Sequence, residues 1–160
     1  MKNGLPFTIL LVEDDPDDRM IIDEAFMEID YQAEVKKFIG SKGLLKYLEQ
    51  VEPSLFPNLI VLDNNLPEMD AHEVLSRLKQ NPSYKQIPVV VYTTSLSPAR
   101  KEQLLAAGAY ACFEKGNNMN EVVRLAKELK HLAEPGSDSS DWMTIYVATE
   151  MSNWPEQINK

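Results

Sequence analysis

The chain has 160 residues, a formal net charge of −9 and a hydrophobic fraction of 44%. This length suits one domain of ordinary size and is too short for two such domains. The excess of acid repels the phosphates of nucleic acids and of anionic lipid headgroups, so we expect neither nucleic acid nor a membrane to be a direct partner.

The cysteine content and the hydropathy of the chain indicate the compartment in which the protein works. Cys112 is the one cysteine, so no internal disulfide can form, which is compatible with a reducing compartment. No apolar run approaches the roughly 20 residues that a membrane helix needs, and the first residues do not have the pattern of a signal peptide. We therefore expect a cytoplasmic protein.

Short apolar runs alternate with amphipathic stretches along the chain. Residues 8–12 are apolar and end abruptly in acids, which is typical of a strand buried on both faces. The next stretch has apolar residues at helical spacing, with Pro16 in the first turn and the favourable charges of Asp17 and Asp18 near the helix N-terminus. The predicted strand and helix pairs are, in chain order, 8–12 and 16–29, 34–38 and 41–50, 59–62 and 71–79, 88–92 and 98–107, and 111–113 and 120–132.

Five strand–helix repeats predict the fold class. Strands separated by single helices pair in parallel through right-handed crossovers, with helices on both faces of the sheet. We therefore predict an α/β fold with a doubly wound, five-stranded parallel sheet of the flavodoxin-like (βα)5 type. We assign residues 1–133 to this domain and residues 134–160 to a linker and C-terminal tail without a separate domain, because a polar stretch begins there.

Polar residues follow four of the predicted strands. The carboxyl ends of parallel strands lie at one edge of a sheet, where ligands bind near the point at which the strand order reverses. We therefore expect residues that are far apart in sequence to form one site. The residues that should meet there are Glu13, Asp14, Asp15, Asp63, Thr93, Thr94 and Lys115.

This combination of residue types suits phosphoryl transfer. Carboxylates that lie close together repel one another unless a cation neutralises them, and hard oxygen ligands of this kind suit Mg²⁺. A carboxylate such as that of Asp63 can attack phosphorus, while a metal ion polarises the phosphoryl oxygens. The Lys115 ammonium and the Thr93 hydroxyl can each bind a further phosphoryl oxygen.

Four segments of the sequence carry a resemblance to a known family. They are LLVEDDP at 10–16, LIVLDNNLPEMD at 59–70, PVVVYTTS at 88–95 and FEK at 113–115. In this order, and over about residues 7–132, they resemble the CheY-like receiver domains of bacterial two-component response regulators. The end of the fourth strand, at Thr93, Thr94 and Ser95, is also similar to single-domain receivers that partner phytochrome-type sensor kinases.

The resemblance implies roles in phosphoryl chemistry. Asp63 would be the phosphoacceptor, and Lys115 would be the lysine that pairs with the phosphoryl group. Thr93 would be the switch hydroxyl, which moves towards that group. The side chains of Asn65 and Ser95 would tune how fast water attacks the aspartyl phosphate.

The resemblance also implies a metal ion and protein partners. Mg²⁺ would be held by Glu13, Asp14, Asp63 and the backbone carbonyl of Asn65, with Asp14 the more direct ligand of the acidic pair. The phosphoryl donor would be a sensor histidine kinase or a phosphotransfer protein, and the downstream target would be another, unidentified protein. The chain would signal by conformational switching without a fused output domain, as a monomer or weak homodimer.

Three positions depart from the pattern of the family. A proline, with a cis peptide bond before it, usually follows the lysine, and here the residue is Gly116. Ala71 stands where a glycine is frequent. Cys112 aligns with a switch position that usually holds Tyr or Phe, with Phe113 next to it, and a thiol cannot reproduce the swing of an aromatic ring. We expect the conformational response to differ and the phosphorylation chemistry to survive.

Two other functions fit parts of the sequence pattern. A binding module with the receiver fold that never takes phosphate would lack an acid or the lysine, and this chain has them all. A phosphatase that forms an aspartyl phosphate usually needs a second acid two residues after the nucleophile, where this chain has Asn65. We therefore expect no enzyme activity beyond self-catalysed phosphotransfer and autodephosphorylation.

Overall fold

Strands and helices alternate along residues 4–134, which are the residues that this computed structural model describes. The strands are β1 (Thr8–Val12), β2 (Glu34–Phe38), β3 (Leu59–Asp63), β4 (Val89–Thr93) and β5 (Ala111–Glu114). The α-helices are α1 (Pro16–Glu28), α2 (Ser41–Gln50), α3 (Ala71–Gln80), α4 (Pro98–Ala106) and α5 (Met119–Ala133). The five predicted strand–helix pairs are confirmed, and a short 3₁₀ helix at Pro53–Leu55 was not predicted.

The strands form one parallel sheet in the order β2-β1-β3-β4-β5. The order reverses between β1 and β3, so the crevice for a ligand lies at their carboxyl ends. Val12 is paired with Leu62 across these two strands, which brings the residues after β1 beside the end of β3. The predicted doubly wound, flavodoxin-like fold is confirmed.

Helices cover both faces of the sheet, and alternate strand residues feed two separate cores. On one face, Leu10 and Val12 of β1 pack in a cluster with residues of α2, α3 and α4. On the other face, Ile9 and Leu11 pack in a cluster with residues of α1 and α5. The central strands are therefore apolar on both sides, as expected for a parallel sheet between two layers of helices.

The boundaries of three strands differ from the prediction by one residue. β3 includes Asp63, β4 includes Thr93 and β5 includes Glu114, so these polar residues end a strand instead of following it. β4 begins at Val89 because Pro88 has no N–H, although the Pro88 carbonyl still accepts a hydrogen bond from Ile60 N at 3.0 Å.

The predicted linker and tail at 134–160 lie outside the described residues except for Glu134, so their assignment stays a prediction. Within 4–134, none of the helices has both the length and the apolar character needed to cross a bilayer.

Candidate functional site

Three carboxylates meet where β1 and β3 end. Glu13 and Asp14 directly follow β1, and Asp63 is the last residue of β3. One carboxylate oxygen from each of the three lies within 4.8 Å of the others. Glu13 is fully buried and Asp63 is 4% exposed, whereas Asp14 faces solvent. A cluster of hard oxygen donors with one open side is a suitable donor set for a divalent cation.

Lys115 lies among these acids immediately after β5. Its Nζ atom donates hydrogen bonds to Asp18 Oδ2 at 2.7 Å, to Glu13 Oε2 at 2.8 Å and to Asp63 Oδ2 at 3.4 Å. Burial alone lowers the pKa of the Lys115 ammonium, but the hydrogen bonds to Asp18 and Glu13 outweigh it and raise the pKa above its usual value. Lys115 therefore carries a full positive charge in the site.

The buried Glu13 carboxylate is held from three sides. It accepts hydrogen bonds from the Tyr92 hydroxyl, from Lys115 Nζ, and from the backbone N–H of Asp15 at 3.0 Å. Burial raises the pKa of Glu13 above its usual value, and the bonds from Lys115 and Tyr92 oppose this rise. The Lys115 ammonium also lies 4.7 Å from the centroid of the Tyr92 ring, so Tyr92 contacts both members of the pair.

The backbone of the loop after β3 holds Asp63 in place. The Asn65 N–H donates to Asp63 Oδ1 at 3.2 Å, and the Asn64 N–H donates to the Tyr92 carbonyl at 3.1 Å. Each oxygen of the Asp63 carboxylate thus accepts a hydrogen bond, one from the loop and one from Lys115. The proposed use of the Asn65 carbonyl as a metal ligand stays a prediction.

Arg100, in the first turn of α4, ties this loop to the neighbouring helix. Its Nε and Nη2 atoms donate to Asn64 Oδ1 at 3.1 and 2.8 Å, and Nη2 also pairs with Asp70 Oδ2 at 3.3 Å. The backbone N–H of Glu73 has the largest effect in lowering the pKa of the Asp70 carboxyl, and the hydrogen bond and charge of Arg100 lower it further. The loop that follows Asp63 is therefore coupled to α4.

Thr93 ends β4 beside the acidic cluster and is almost fully buried. Its hydroxyl donates to the backbone carbonyl of Ser95 at 3.3 Å, within its own loop. In the sheet, Asp63 is paired with Tyr92, the residue before Thr93. The threonine is therefore at the predicted edge, and its hydroxyl is bonded to Ser95 and not to Asp63.

The structure explains Gly116, one of the departures from the family pattern, and shows the surroundings of Cys112, another of them. A Cβ atom on Gly116 would lie 2.6 Å from Glu121 Cβ, so the first turn of α5 leaves no room for a side chain there. No cis peptide bond occurs among the described residues, so the chain passes Gly116 in trans. Cys112 is buried in the cluster that includes Leu104 of α4, and burial raises the pKa of its thiol.

Sequence reasoning found four of the residues that meet here and missed three others. Glu13, Asp14, Asp63 and Lys115 lie together as predicted. The sequence-based interpretation of Asp18 as helix charge was incomplete, because its carboxylate also pairs with Lys115. Tyr92 could have been suspected, since a tyrosine near the end of a buried strand needs a partner for its hydroxyl. No pattern in the sequence indicates that the Arg100 side chain reaches Asn64 and Asp70. The residues that were missed are Tyr92, Asp18 and Arg100.

Comparison with known proteins defines the class of the chain. Residues 9–127 match the model of the response regulator receiver domain. The chain therefore belongs to this family, whose members are phosphoacceptor switches that interact with histidine kinases or phosphotransfer partners.

Individual relatives agree with this assignment. The chain is 33% identical over 127 residues to the probable methanogenesis regulatory protein FilR2 of Methanothrix harundinacea, covering 78% of this chain and 82% of FilR2. It is 43% identical over 97 residues to the response regulator Rcp1 of Synechocystis, covering 59% of this chain and 66% of Rcp1.

Solved structures show the same fold. The Mn²⁺-bound form of Rcp1 superposes with a TM-score of 0.71 at 29% identity, covering 83% of this chain and 98% of that one. The phosphorylated cyanobacterial phytochrome response regulator RcpA superposes with a TM-score of 0.73 at 28% identity, covering 84% and 98%. The chain is a receiver domain of the kind found in these two-component response regulators.

Proposed function

We propose that Asp63 accepts a phosphoryl group from a histidine kinase or a phosphotransfer protein in a Mg²⁺-dependent reaction. The observation that supports this most strongly is the environment of the Asp63 carboxylate. It is nearly buried, it accepts a hydrogen bond from Lys115, and oxygens of Glu13 and Asp14 lie within 4.8 Å. A structural carboxylate would have little need of two acidic neighbours at this distance.

The reaction is a nucleophilic displacement at phosphorus. An oxygen of Asp63 forms the new O–P bond while the bond from phosphorus to the imidazole nitrogen of the donor breaks, and the histidine leaves. The Lys115 ammonium offsets the charge of the transferred group. Glu13, Asp14, Asp63 and the Asn65 carbonyl would hold Mg²⁺, which when bound screens the acids and polarises the phosphoryl oxygens. The Mn²⁺-bound form of the relative Rcp1 supports the binding of a divalent ion by this chain.

Signalling would follow from a shift between two conformations. The Thr93 hydroxyl would leave the Ser95 carbonyl, to which it is now bonded, and move to a phosphoryl oxygen. The side chains of Asn65 and Ser95 would set how fast water removes the phosphoryl group. We propose a protein as the target and the cytoplasm as the place of action, with no turnover of other substrates.

The test is phosphorylation by a small donor. The protein is incubated with acetyl phosphate and Mg²⁺, and its intact mass is recorded beside Asp63→Asn and Asp70→Asn. Asp70 is a suitable control because it is an acid at the end of the loop that follows Asp63, and asparagine can replace it as the cap of α3. We expect the wild type and Asp70→Asn to gain one phosphoryl group, and Asp63→Asn to gain none.

Two results would contradict the proposal. A gain that persists in Asp63→Asn would place the phosphoryl group elsewhere. If the wild type gains none, and beryllofluoride with Mg²⁺ also fails to bind, the chain is a binding module that does not take phosphate.

A further inference from the structure

Asp18 occupies a position that the proposed phosphorylation chemistry does not explain. It lies in the first turn of α1 and is not one of the three acids that cluster as candidate metal ligands. Its carboxylate nevertheless makes the shortest of the three hydrogen bonds to Lys115, at 2.7 Å, while the bond from Lys115 to Asp63 is 3.4 Å long. The ammonium therefore lies closer to Asp18 than to Asp63.

The ammonium of Lys115 has no spare hydrogen-bond donor. A lysine carries three N–H donors, and here three carboxylates accept from them. A new phosphoryl oxygen on Asp63 can bind Lys115 well only if one of the present bonds weakens. The resting site is therefore saturated, and phosphorylation requires an exchange of partners.

The exposed fractions of the three carboxylate side chains indicate which of them most easily loses its bond to Lys115. The Glu13 side chain is completely buried and the Asp63 side chain is 5% exposed, whereas that of Asp18 is 34% exposed. A buried carboxylate that loses a hydrogen bond cannot replace it with water, and this is costly. Asp18 can return to solvent, so the bond between Lys115 and Asp18 is the easiest of the three to give up.

We propose that Asp18 is a positioning residue that competes with the phosphoryl group for Lys115. In the resting protein it draws the ammonium away from Asp63 and so disfavours the phosphorylated arrangement. Removing its charge frees Lys115 to bind the phosphoryl group, which makes the phosphorylated state easier to reach and longer-lived. This inference rests on the proposed function of Asp63 and adds a regulatory residue to the same site.

The test measures the affinity of the full chain for beryllofluoride, which imitates a phosphoryl group, by titration calorimetry at saturating Mg²⁺. Asp18→Asn keeps the shape of the side chain and removes its charge. Asp17→Asn is the matched control, because it removes the same charge one residue earlier, and Asp17 forms none of the Lys115 ion pairs within the described part of the chain. Asp18→Glu restores the charge.

We expect Asp18→Asn to bind beryllofluoride about two- to fivefold more tightly than the wild type, because a partly exposed ion pair contributes only a small free energy. Asp17→Asn should stay within about twofold, and Asp18→Glu should return towards the wild type. A second measurement needs no metal: the side-chain NMR resonances of Lys115 in the metal-free protein should shift in Asp18→Asn and not in Asp17→Asn.

The possible failures are distinguishable. If the wild type binds beryllofluoride but Asp18→Asn binds equally or more weakly, the competition is wrong and the role of Asp63 stands. Equal tightening by Asp17→Asn and Asp18→Asn would show a general charge effect and would also overturn the positioning role. If neither the wild type nor any variant binds beryllofluoride, this inference fails, and the proposed function fails with it only if the wild type also gains no phosphoryl group from acetyl phosphate.

Discussion

Tyr92→Phe tests whether the buried bond between Tyr92 and Glu13 stabilises the resting site. Tyr92 is 2% exposed and Glu13 is fully buried, so solvent cannot replace a lost bond. The ring packs in the core between the sheet and helices α1 and α5, and it faces the Lys115 ammonium. Phenylalanine keeps both ring contacts. The substitution therefore removes one hydrogen bond, from the Tyr92 hydroxyl to Glu13.

The expected loss of stability follows from the charge and burial of the acceptor. A hydrogen bond to a charged group contributes about 1.5–3 kcal/mol to folding. Glu13 keeps its bonds from Lys115 and from the Asp15 N–H, so we expect the lower part of this range, about 1.5–2 kcal/mol. In equilibrium urea unfolding of the metal-free protein, this corresponds to a fall of the midpoint by roughly 1 M.

A matched variant and a double-mutant cycle control the measurement. Tyr110→Phe removes the same hydroxyl from a side chain that is 52% exposed, and its stability should change by less than about 0.5 kcal/mol. In a Glu13→Gln background, Tyr92→Phe should cost less, because a bond between neutral groups contributes only about 0.5–1.5 kcal/mol. The reasoning is refuted if Tyr92→Phe changes the stability of the wild type no more than Tyr110→Phe does.

Three further predictions concern the glycine after α4, the cysteine and the buried acid. Gly108→Ala should destabilise the domain by about 1–3 kcal/mol in urea unfolding, because Gly108 has a φ of +110° and a Cβ would lie 2.6 Å from Lys79 Cγ. Gly43→Ala, inside α2, is the control for Gly108→Ala, and its effect on stability should be neutral or favourable. An equal loss of stability in the two variants would contradict the strain argument. Iodoacetamide should modify Cys112 at least about tenfold more slowly in the folded than in the unfolded chain, because the thiol is buried and its pKa is raised; equal rates would contradict this. In EDTA, the free energy of unfolding should fall as the pH rises above about 4.5. Part of this fall comes from Glu13, because burial raises the pKa of its carboxyl in the folded chain. The unfolded chain therefore releases the Glu13 proton at a lower pH than the folded chain does. Glu13→Gln should make this fall smaller, and an unchanged pH dependence would exclude the contribution.

Much of the fold follows from local patterns in the sequence. The apolar runs at 8–12 and 59–62 predict strands buried on both faces, and the helices between them predict a parallel sheet. The convergence of Glu13, Asp63 and Lys115 then follows from topology, because parallel strands end at one edge. These three residues are up to 102 positions apart in sequence and lie in hydrogen-bonding distance in the structure.

The contacts that the sequence did not reveal depend on where individual side chains point. Asp18 has the charge that suits a helix N-terminus, and only the structure shows that it also reaches Lys115, the residue after β5. Arg100 spans from α4 to Asn64, which is a matter of side-chain length and rotamer. Periodicity and turn chemistry carry no information about such contacts between elements that are distant in sequence.

The most direct test of the central claim locates the phosphoryl group on the chain. The protein is phosphorylated with acetyl phosphate and Mg²⁺ and reduced with sodium borohydride, which converts an aspartyl phosphate to homoserine. Peptide mapping by mass spectrometry then identifies the converted residue. We expect homoserine at position 63 alone, and only when Mg²⁺ is present. Conversion at Asp14 or another acid, with Asp63 intact, would contradict the assignment of Asp63 as the phosphoacceptor.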